Sequence, residues 1–333
     1  MKLELTDEFR RALDLLENSA RNVFITGRAG TGKSTLLQHF RSKTRKNVVV
    51  LAPTGVAAVN VDGETIHSFF GFKPGVTLDR IKKAGKTRQN LYKKIDTLII
   101  DEVSMVRADL LDCVARFLEL NGRKPGLSFG GVQIVLFGDL YQLPPVVRSK
   151  EKELFSRYYE SPYFFSARSF EDLKTEWIEL MKVFRQRDDE FLDILNAIRN
   201  DTVTDDQLAR INARVRDTID IDTLKDYVFL ATVNERAARI NKERLERLPA
   251  KKHVFIAQVR GEFDPKAYPT EVDLELKEGA QVMLLNNDTF GRWINGTIAK
   301  ITHIHPKAEK LVVTLPGGYT EEVGPYRWDM IHF

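Results

Sequence analysis

Gly27-Arg28-Ala29-Gly30-Thr31-Gly32-Lys33-Ser34-Thr35 is the stretch that decides the fold. Gly27 is followed by four residues and then by Gly32, Lys33 and Ser34, which is the phosphate-loop spacing. Just upstream, Val23-Phe24-Ile25-Thr26 is apolar and β-branched and reads as a buried strand. Just downstream, Leu36-Leu37-Gln38-His39-Phe40 carries apolar residues at helical spacing. A strand, a glycine-rich turn and a helix form the context in which this motif holds phosphate. The glycines let backbone N–H groups converge on phosphate oxygens with no Cβ in the way. In this reading Lys33 neutralises the β- and γ-phosphates of a nucleoside triphosphate and Ser34 holds Mg²⁺. The helix N-terminus adds its partial positive charge. A chance lysine after a turn would lack the flanking strand and helix.

The chain has 333 residues, enough for about two domains. Hydrophobic content of 43% and charged content of 29% are those of an ordinary globular protein. Neither a long apolar span nor a signal peptide is visible, so a soluble cytoplasmic protein with no membrane partner is expected. The single cysteine, Cys113, has no internal disulfide partner and falls in an apolar helical pattern as a small core residue. A net charge of +4 is compatible with nucleic acid but too weak to argue for it alone.

Taken in order, residues 5–17 predict an amphipathic helix with Thr6 as N-cap and Phe9, Leu13 and Leu16 on one face. Asn47-Val48-Val49-Val50-Leu51-Ala52-Pro53 reads as a second buried strand whose C-terminal end is marked by Pro53, Thr54 and Gly55. Residues 71–94 carry Lys73, Arg80, Lys82, Lys83, Lys86, Arg88, Lys93 and Lys94 against one acid, Asp79. Such a cluster attracts a phosphate backbone, although a solvated surface face has the same composition. Leu98-Ile99-Ile100-Asp101-Glu102 is an apolar strand ending in paired acids. After a phosphate loop, Asp101 belongs beside Mg²⁺ and Glu102 is placed to polarise an attacking water. Residues 105–120 predict a helix, and 133–139 a further strand. That strand ends in Leu140-Tyr141-Gln142-Leu143-Pro144-Pro145, where Gln142 offers an amide to a γ-phosphate and the prolines stiffen the loop. Repeated strand–helix alternation with polar signals at strand ends predicts a doubly wound parallel α/β sheet.

GRAGTGKST (27–35), APTGVAAVNVDGETIHSFF (52–70), IIDEVSM (99–105) and FGDLYQLPPV (137–146) resemble the first motifs of the Pif family of DNA helicases. MKVFRQRDDEFLDILNAIRN (181–200) is similar to that family's signature segment. The RecD and Dda branches are a more distant resemblance. The family consists of superfamily-one, B-class motors moving 5′ to 3′ on single-stranded DNA, with roles in DNA repair, recombination and telomere maintenance. The resemblance implies RecA-like domains and a reaction driven by ATP with Mg²⁺. Gly30, Thr31, Gly32, Lys33, Ser34 and Thr35 would wrap the phosphates, and Ser34 and Asp101 would hold the metal. Lys33, Asp101, Glu102, Gln142 and Arg185 would form the catalytic set, with Gln142 and Arg185 at the γ-phosphate. Pro53, Thr54, Gly55, His67, Ser68, Phe69, Pro144 and Asn295 would face the DNA strand. For Phe69 and Phe70, core packing is the competing role of at least one. The implied partners are single-stranded, forked or G-quadruplex DNA. A monomeric protein associated with the bacterial nucleoid is expected.

Two departures from the family pattern stand out. Phe9 occupies the position where the family has an adenine-reading Gln, and a phenyl ring cannot hydrogen-bond adenine. No segments like HKSQG or ALSR follow residue 226, so the chain is expected to be a fragment with weak activity of its own. The expected layout is a first motor domain over 1–175 with a small basic insertion at about 71–94, the opening of a second motor domain over 176–255, and a small antiparallel β-barrel over 256–333. Within that second motor domain, residues 227–232 read as a buried strand. Two functional readings stay open: an ATP-driven helicase, and a nucleotide-gated single-strand binder that does not unwind. A nucleotide kinase would leave the GDLYQLPP and VFRQ segments without a place.

Overall fold

The structure, a computed structural model, describes residues 6–73, 75–148, 151–184, 189–216, 224, 227–261, 268–286, 288, 290–293 and 296–328. It divides into two compact units, Met1–Leu208 (with His332–Phe333) and Ala209–Ile331.

In the first unit, β1 (Val23–Gly27), β2 (Val48–Ala52), β3 (Glu64–Thr65), β4 (Thr97–Ile100), β5 (Gln133–Phe137) and β6 (Glu176–Leu180) form one sheet in the order β3-β2-β4-β5-β1-β6. Every pairing is parallel. β4 and β5 are buried along their whole length, as parallel strands covered on both faces must be. Strand alternation sends neighbouring residues to opposite faces. Phe24, Leu98, Ile100, Ile134 and Leu136 enter one core, against the helix Ala108–Asn121. Val23, Ile25, Ile99, Val135 and Phe137 enter the other, against the helices Asp7–Asn18 and Lys33–Lys43. The first of those helices starts as expected: the Phe9 amide donates to the Thr6 hydroxyl at 3.3 Å.

Because the strands are parallel, the residues that follow β1, β2, β4 and β5 all emerge at one edge of the sheet. At this edge the chain leaves β1 to cross β5 and β4 toward β2, and leaves β5 in the opposite direction toward β6, which makes the crevice at which such sheets bind ligands. The basic segment 71–94 is strapped to the core beside the helix Ala108–Asn121. Phe72 and Tyr92 are buried in it, and Val76, Ile81 and Ala84 pack against it. The fully buried Asn121 side chain accepts from the Ala84 amide at 2.7 Å and donates to the carbonyls of Phe117 and Lys82 at 2.9 and 3.3 Å. Lys73, Arg80, Lys82, Lys83 and Lys86 remain exposed. The buried Asp112 carboxylate likewise anchors residues 159–169, accepting from the Tyr159 hydroxyl at 2.9 Å and the Ser169 amide at 2.8 Å.

In the second unit, β7 (His253–Ile256) pairs antiparallel with β8 (Asp273–Leu276). β9 (Gln281–Met283), β10 (Ile298–His305), β11 (Lys310–Thr314) and β12 (Thr320–Val323) form a separate antiparallel sheet around Trp293, Ile301 and Val313. The helix Asn234–Arg247 has no buried residue of its own, although Leu245 touches this core.

Three expectations are corrected. The boundary placed at residue 175 is too early, because β6 pairs with β1 from Val23↔Glu176 to Gly27↔Leu180 and the first unit runs on to Leu208. Glu176-Trp177-Ile178-Glu179-Leu180 alternates, which suits a half-covered edge strand completing the first sheet better than the opening of a new one. Residues 227–232, expected as a buried strand, make no strand: Tyr227, Val228 and Leu230 are exposed, Leu230 at 96%. Apolar content alone does not make a strand, since its backbone groups need a ladder partner, and none pairs with this stretch among the described residues. Finally, the described strands of residues 256–333 form an open sheet, with β8 paired outside it, and no closed barrel.

Candidate nucleotide site and adjoining strand surface

The phosphate loop is built into the sheet by its first glycine. Gly27 has φ +153°, and a Cβ there would lie 2.6 Å from Thr31 Oγ1 and 2.7 Å from the Leu180 carbonyl oxygen. Gly30 and Gly32, at φ 81° and 91°, take the left-handed backbone that L side chains avoid. The buried Thr31 folds the loop on itself, its hydroxyl donating to the Arg28 carbonyl at 2.9 Å. Lys33 Nζ crosses beneath, donating to the Gly27 and Arg28 carbonyls at 2.6 and 3.2 Å. Burial lowers its pKa, and attraction from Asp139, Glu102 and Asp101 opposes that without cancelling it. Ser34 and Thr35 are exposed in the first turn of the following helix.

The three acids come from the tips of the neighbouring strands β4 and β5. Asp101 follows β4 and is held by its amide donating to the Leu51 carbonyl at 2.8 Å. Burial pushes its carboxyl up to about 6, the Glu102 charge adds to that, and Lys33 works against it. Glu102 is in the left-handed region at φ 48°, an uncommon state for a non-glycine residue that turns its side chain away from the strand direction. Gly138, after β5, closes the tips together, since a Cβ on it would lie 2.9 Å from Val103 Cγ1.

Asp139 is 1% exposed and is the hub of the loop after β5. Its carboxylate accepts from the Tyr141 amide at 3.1 Å, from Gln142 Nε2 at 3.2 Å and from Arg199 Nη1 at 2.7 Å. Burial pushes its pKa up, but the Arg199, Tyr141 and Gln142 bonds outweigh burial and leave it below the ordinary carboxylate value. The Arg199 guanidinium also stacks over the Tyr141 ring at 4.1 Å. Gln142 is therefore held beside the tip of β5 by a partner no local pattern announces. Sequence reasoning assigned no role to Asp139 or Arg199. The acid at a strand tip was a usable signal, whereas Arg199 lies 60 residues further on.

Of the residues expected to face DNA, Pro53, Thr54 and Gly55 follow β2. Thr54 caps the next helix, its hydroxyl accepting from the Ala57 amide at 3.2 Å. Ser68 is exposed, and His67 is half-buried with its pKa lowered by burial against the pull of Asp109. Phe70 is core, and Phe69 packs edge-on against it and Tyr92 with centroids 5.0 and 5.5 Å apart. Pro144 is exposed, alongside Tyr141, Leu143 and Val146. Arg185 and Asn295 lie outside the described residues. The residue before Arg185 is informative, because the Phe184 amide donates to the Gly30 carbonyl at 2.9 Å and ties this segment to the phosphate loop. Phe9 is buried, edge-on to the His39 ring at 6.3 Å and beside Gly32.

A phosphate loop on β1, an acid pair on β4 and an Asp–Gln loop on β5, all at one edge of a parallel sheet, define a RecA-like phosphate-loop core. The class narrows on comparison with known proteins: the chain belongs to the PIF1-like helicase family, which it matches over residues 4–208. It is 34% identical over 314 residues to the ATP-dependent DNA helicase Pif1 of Bdellovibrio bacteriovorus, covering 91% of this chain and 68% of that protein. It is 34% identical over 328 residues to the ATP-dependent DNA helicase RRM3 of Saccharomyces cerevisiae, covering 93% of this chain and 44% of that one. The chain thus spans less than half the length of this yeast relative. Among solved structures it resembles Bacteroides Pif1 bound to ssDNA, with TM-score 0.78, 35% identity, and coverage of 98% of this chain and 75% of that chain. It also resembles the Bacteroides Pif1 complex with ADP-AlF3 and ssDNA, with TM-score 0.77, 35% identity, and coverage of 98% and 76%. No helix among the described residues is long and apolar enough to cross a membrane.

Proposed function

We propose that this chain carries the motor of an ATP-dependent DNA helicase that moves 5′ to 3′ along single-stranded DNA. The observation that carries the proposal is the convergence of Lys33, Asp101, Glu102 and the Asp139–Gln142 loop on one sheet edge, in a chain of the PIF1-like family. Lys33 would bind the β- and γ-phosphates, Gln142 and Arg185 would contact the γ-phosphate, and Glu102 would take the proton of the attacking water. Ser34 and Asp101 would hold Mg²⁺, which supplies charge neutralisation at the phosphates. The donor set fits that ion. Asp101 is a buried carboxyl whose ionised form wants a cation, and no cluster of three His, Cys, Asp or Glu among the described residues could hold a metal alone. An ion completing its shell with phosphate oxygens and water is the habit of Mg²⁺. Phe9 supports a nucleotide grip that rests on phosphates more than on the adenine edge.

The strand would pass over the tips of β2 and the loop after β5, touching residues 53–55, 67–69 and Pro144; Asn295 is proposed as a DNA contact on the family resemblance alone. Residues 209–331 would contain the opening of the second motor domain and a small antiparallel β element. Forks and G-quadruplexes are the proposed substrates, a monomer the proposed moving unit, and the cytoplasm, on nucleoid DNA, the proposed location. The test is strand displacement with MgATP on duplexes bearing a 5′ or a 3′ tail. Any displacement is expected from the 5′ tail alone, and weakly for residues 1–333 by themselves. Displacement from the 3′ tail would reverse the polarity, and nucleotide-dependent strand binding without displacement would favour the gated binder.

The exposed basic segment gives a separate expectation. Replacing Lys82, Lys83 and Lys86 together by Gln should weaken binding and flatten the log K against log[salt] slope by up to about 2. An unchanged slope would place this face away from DNA.

A further inference from the structure

We propose that Arg199 is a positioning residue that clamps the loop after β5, so that the Gln142 amide and the exposed loop tip move as one body. The proposal rests on the motor reading above for its consequence in catalysis, but not for its geometry.

The loop from Asp139 to Val146 has no regular secondary structure, so something else must hold it. Two of its residues are fixed through one carboxylate: the Tyr141 amide on Oδ1 and Gln142 Nε2 on Oδ2 of Asp139. A carboxylate that is 1% exposed stays ionised there only with a charged partner, and Arg199 Nη1 supplies it at 2.7 Å on the same oxygen that holds Gln142. The guanidinium plane lies over the Tyr141 ring at 4.1 Å, a second grip on the same loop. Arg199 is the last residue of the helix Asp189–Arg199, so the clamp ties a whole helix to the loop. On the other side of the clamp, Tyr141, Leu143 and Val146 are 66%, 68% and 75% exposed, leaving the tip open to a ligand.

The clamp also sets the field at the phosphate loop. Among the acids, Asp139 exerts the largest pull on the Lys33 ammonium, and Arg199 opposes it. Without Arg199, Asp139 would compete with phosphate for Lys33 and would release Gln142 from its geometry. A strand pressing on the loop tip would then no longer be felt at the nucleotide.

Two readouts test this on the full chain, using Arg199→Met and the neutral pair Asp139→Asn/Arg199→Met, the second guarding against misfolding from an unpaired buried charge. Hydrogen exchange of the Tyr141 and Gln142 amides is expected to speed up at least about tenfold in both variants, while amides of β4 and β5 keep their protection. This readout needs no activity, and unchanged exchange at the two loop amides would overturn the clamp. In hydrolysis, the factor by which saturating single-stranded DNA raises kcat is expected to fall at least about tenfold, with KM for ATP changing less than about threefold. Arg199→Lys, which keeps the charge but loses the planar stack, should recover part of that factor. An unchanged stimulation factor in Arg199→Met, or a loss matched by equal loss of protection throughout β4 and β5, would sink the positioning role. If the wild type shows no DNA-stimulated hydrolysis, the exchange result alone decides the clamp.

Discussion

Lys33→Ala is expected to slow ATP hydrolysis by about 10²–10³-fold, the usual loss on removing one preorganised group that stabilises transition-state charge. The side chain lies under the phosphate loop, held by the Gly27 and Arg28 carbonyls and surrounded by Asp101, Glu102 and Asp139. With alanine there, three carboxylates would face the phosphates with no ammonium among them. The fold should survive, because the removed ammonium is one whose charged form burial already disfavours. Single-strand affinity without nucleotide should change less than about threefold, because the residues proposed to face the strand lie on other loops. Steady-state hydrolysis and fluorescence anisotropy with a labelled oligonucleotide measure the two effects. Hydrolysis above about a tenth of the wild-type rate would remove Lys33 from the mechanism.

Asp101→Asn should produce the opposite signs in stability and activity. The folded protein keeps the Asp101 proton to about pH 6, whereas the unfolded chain releases it near 4. Between those values the folded state binds more protons, so stability falls as pH rises, and above pH 6 the whole penalty stands. Two pH units correspond to about 3 kcal/mol. The asparagine variant, free of that charge, should therefore be more stable by up to about 3 kcal/mol at pH 8 and by about half as much at pH 5. Urea unfolding of both proteins at the two pH values reads this directly. Added Mg²⁺ with a non-hydrolysable ATP analogue should then stabilise the wild type more than the variant, since only the carboxylate recruits the cation. Hydrolysis should drop by at least about 10²-fold in the variant. Equal stability of the two proteins at pH 8 would show that Asp101 is not strained by burial, and the metal assignment would lose its physical support.

Both predictions concern residues legible from the chain alone, and the reason is local. The phosphate loop, its strand and its helix occupy residues 23–43, and each signal in them acts over a few residues: β-branched runs, glycines where a Cβ would collide, a helix start. Thr6 capping its helix is read in the same way. The placing of Asp101, Glu102 and Gln142 follows one step later, because parallel strands must present their C-terminal ends at a common edge.

Other features were settled by contacts that sequence spacing does not encode. Arg199 finds Asp139 across 60 residues, and no periodicity links the two. The alternation of β6 marks it as a half-covered edge strand, but it is the outer edge of β1, accepting it in register, that places it in the first sheet. Phe9, read as a missing adenine contact, is a core residue beside the phosphate loop. Residues 227–232 have the composition of a buried strand and yet remain exposed. The sequence by itself determined where the phosphate loop lies and which acids stand at the strand tips, since steric fit and hydrogen bonding between near neighbours suffice for that. Only the tertiary structure decided which distant side chains steady those groups and which apolar runs are covered, because burial and ion pairing depend on what the rest of the chain brings alongside.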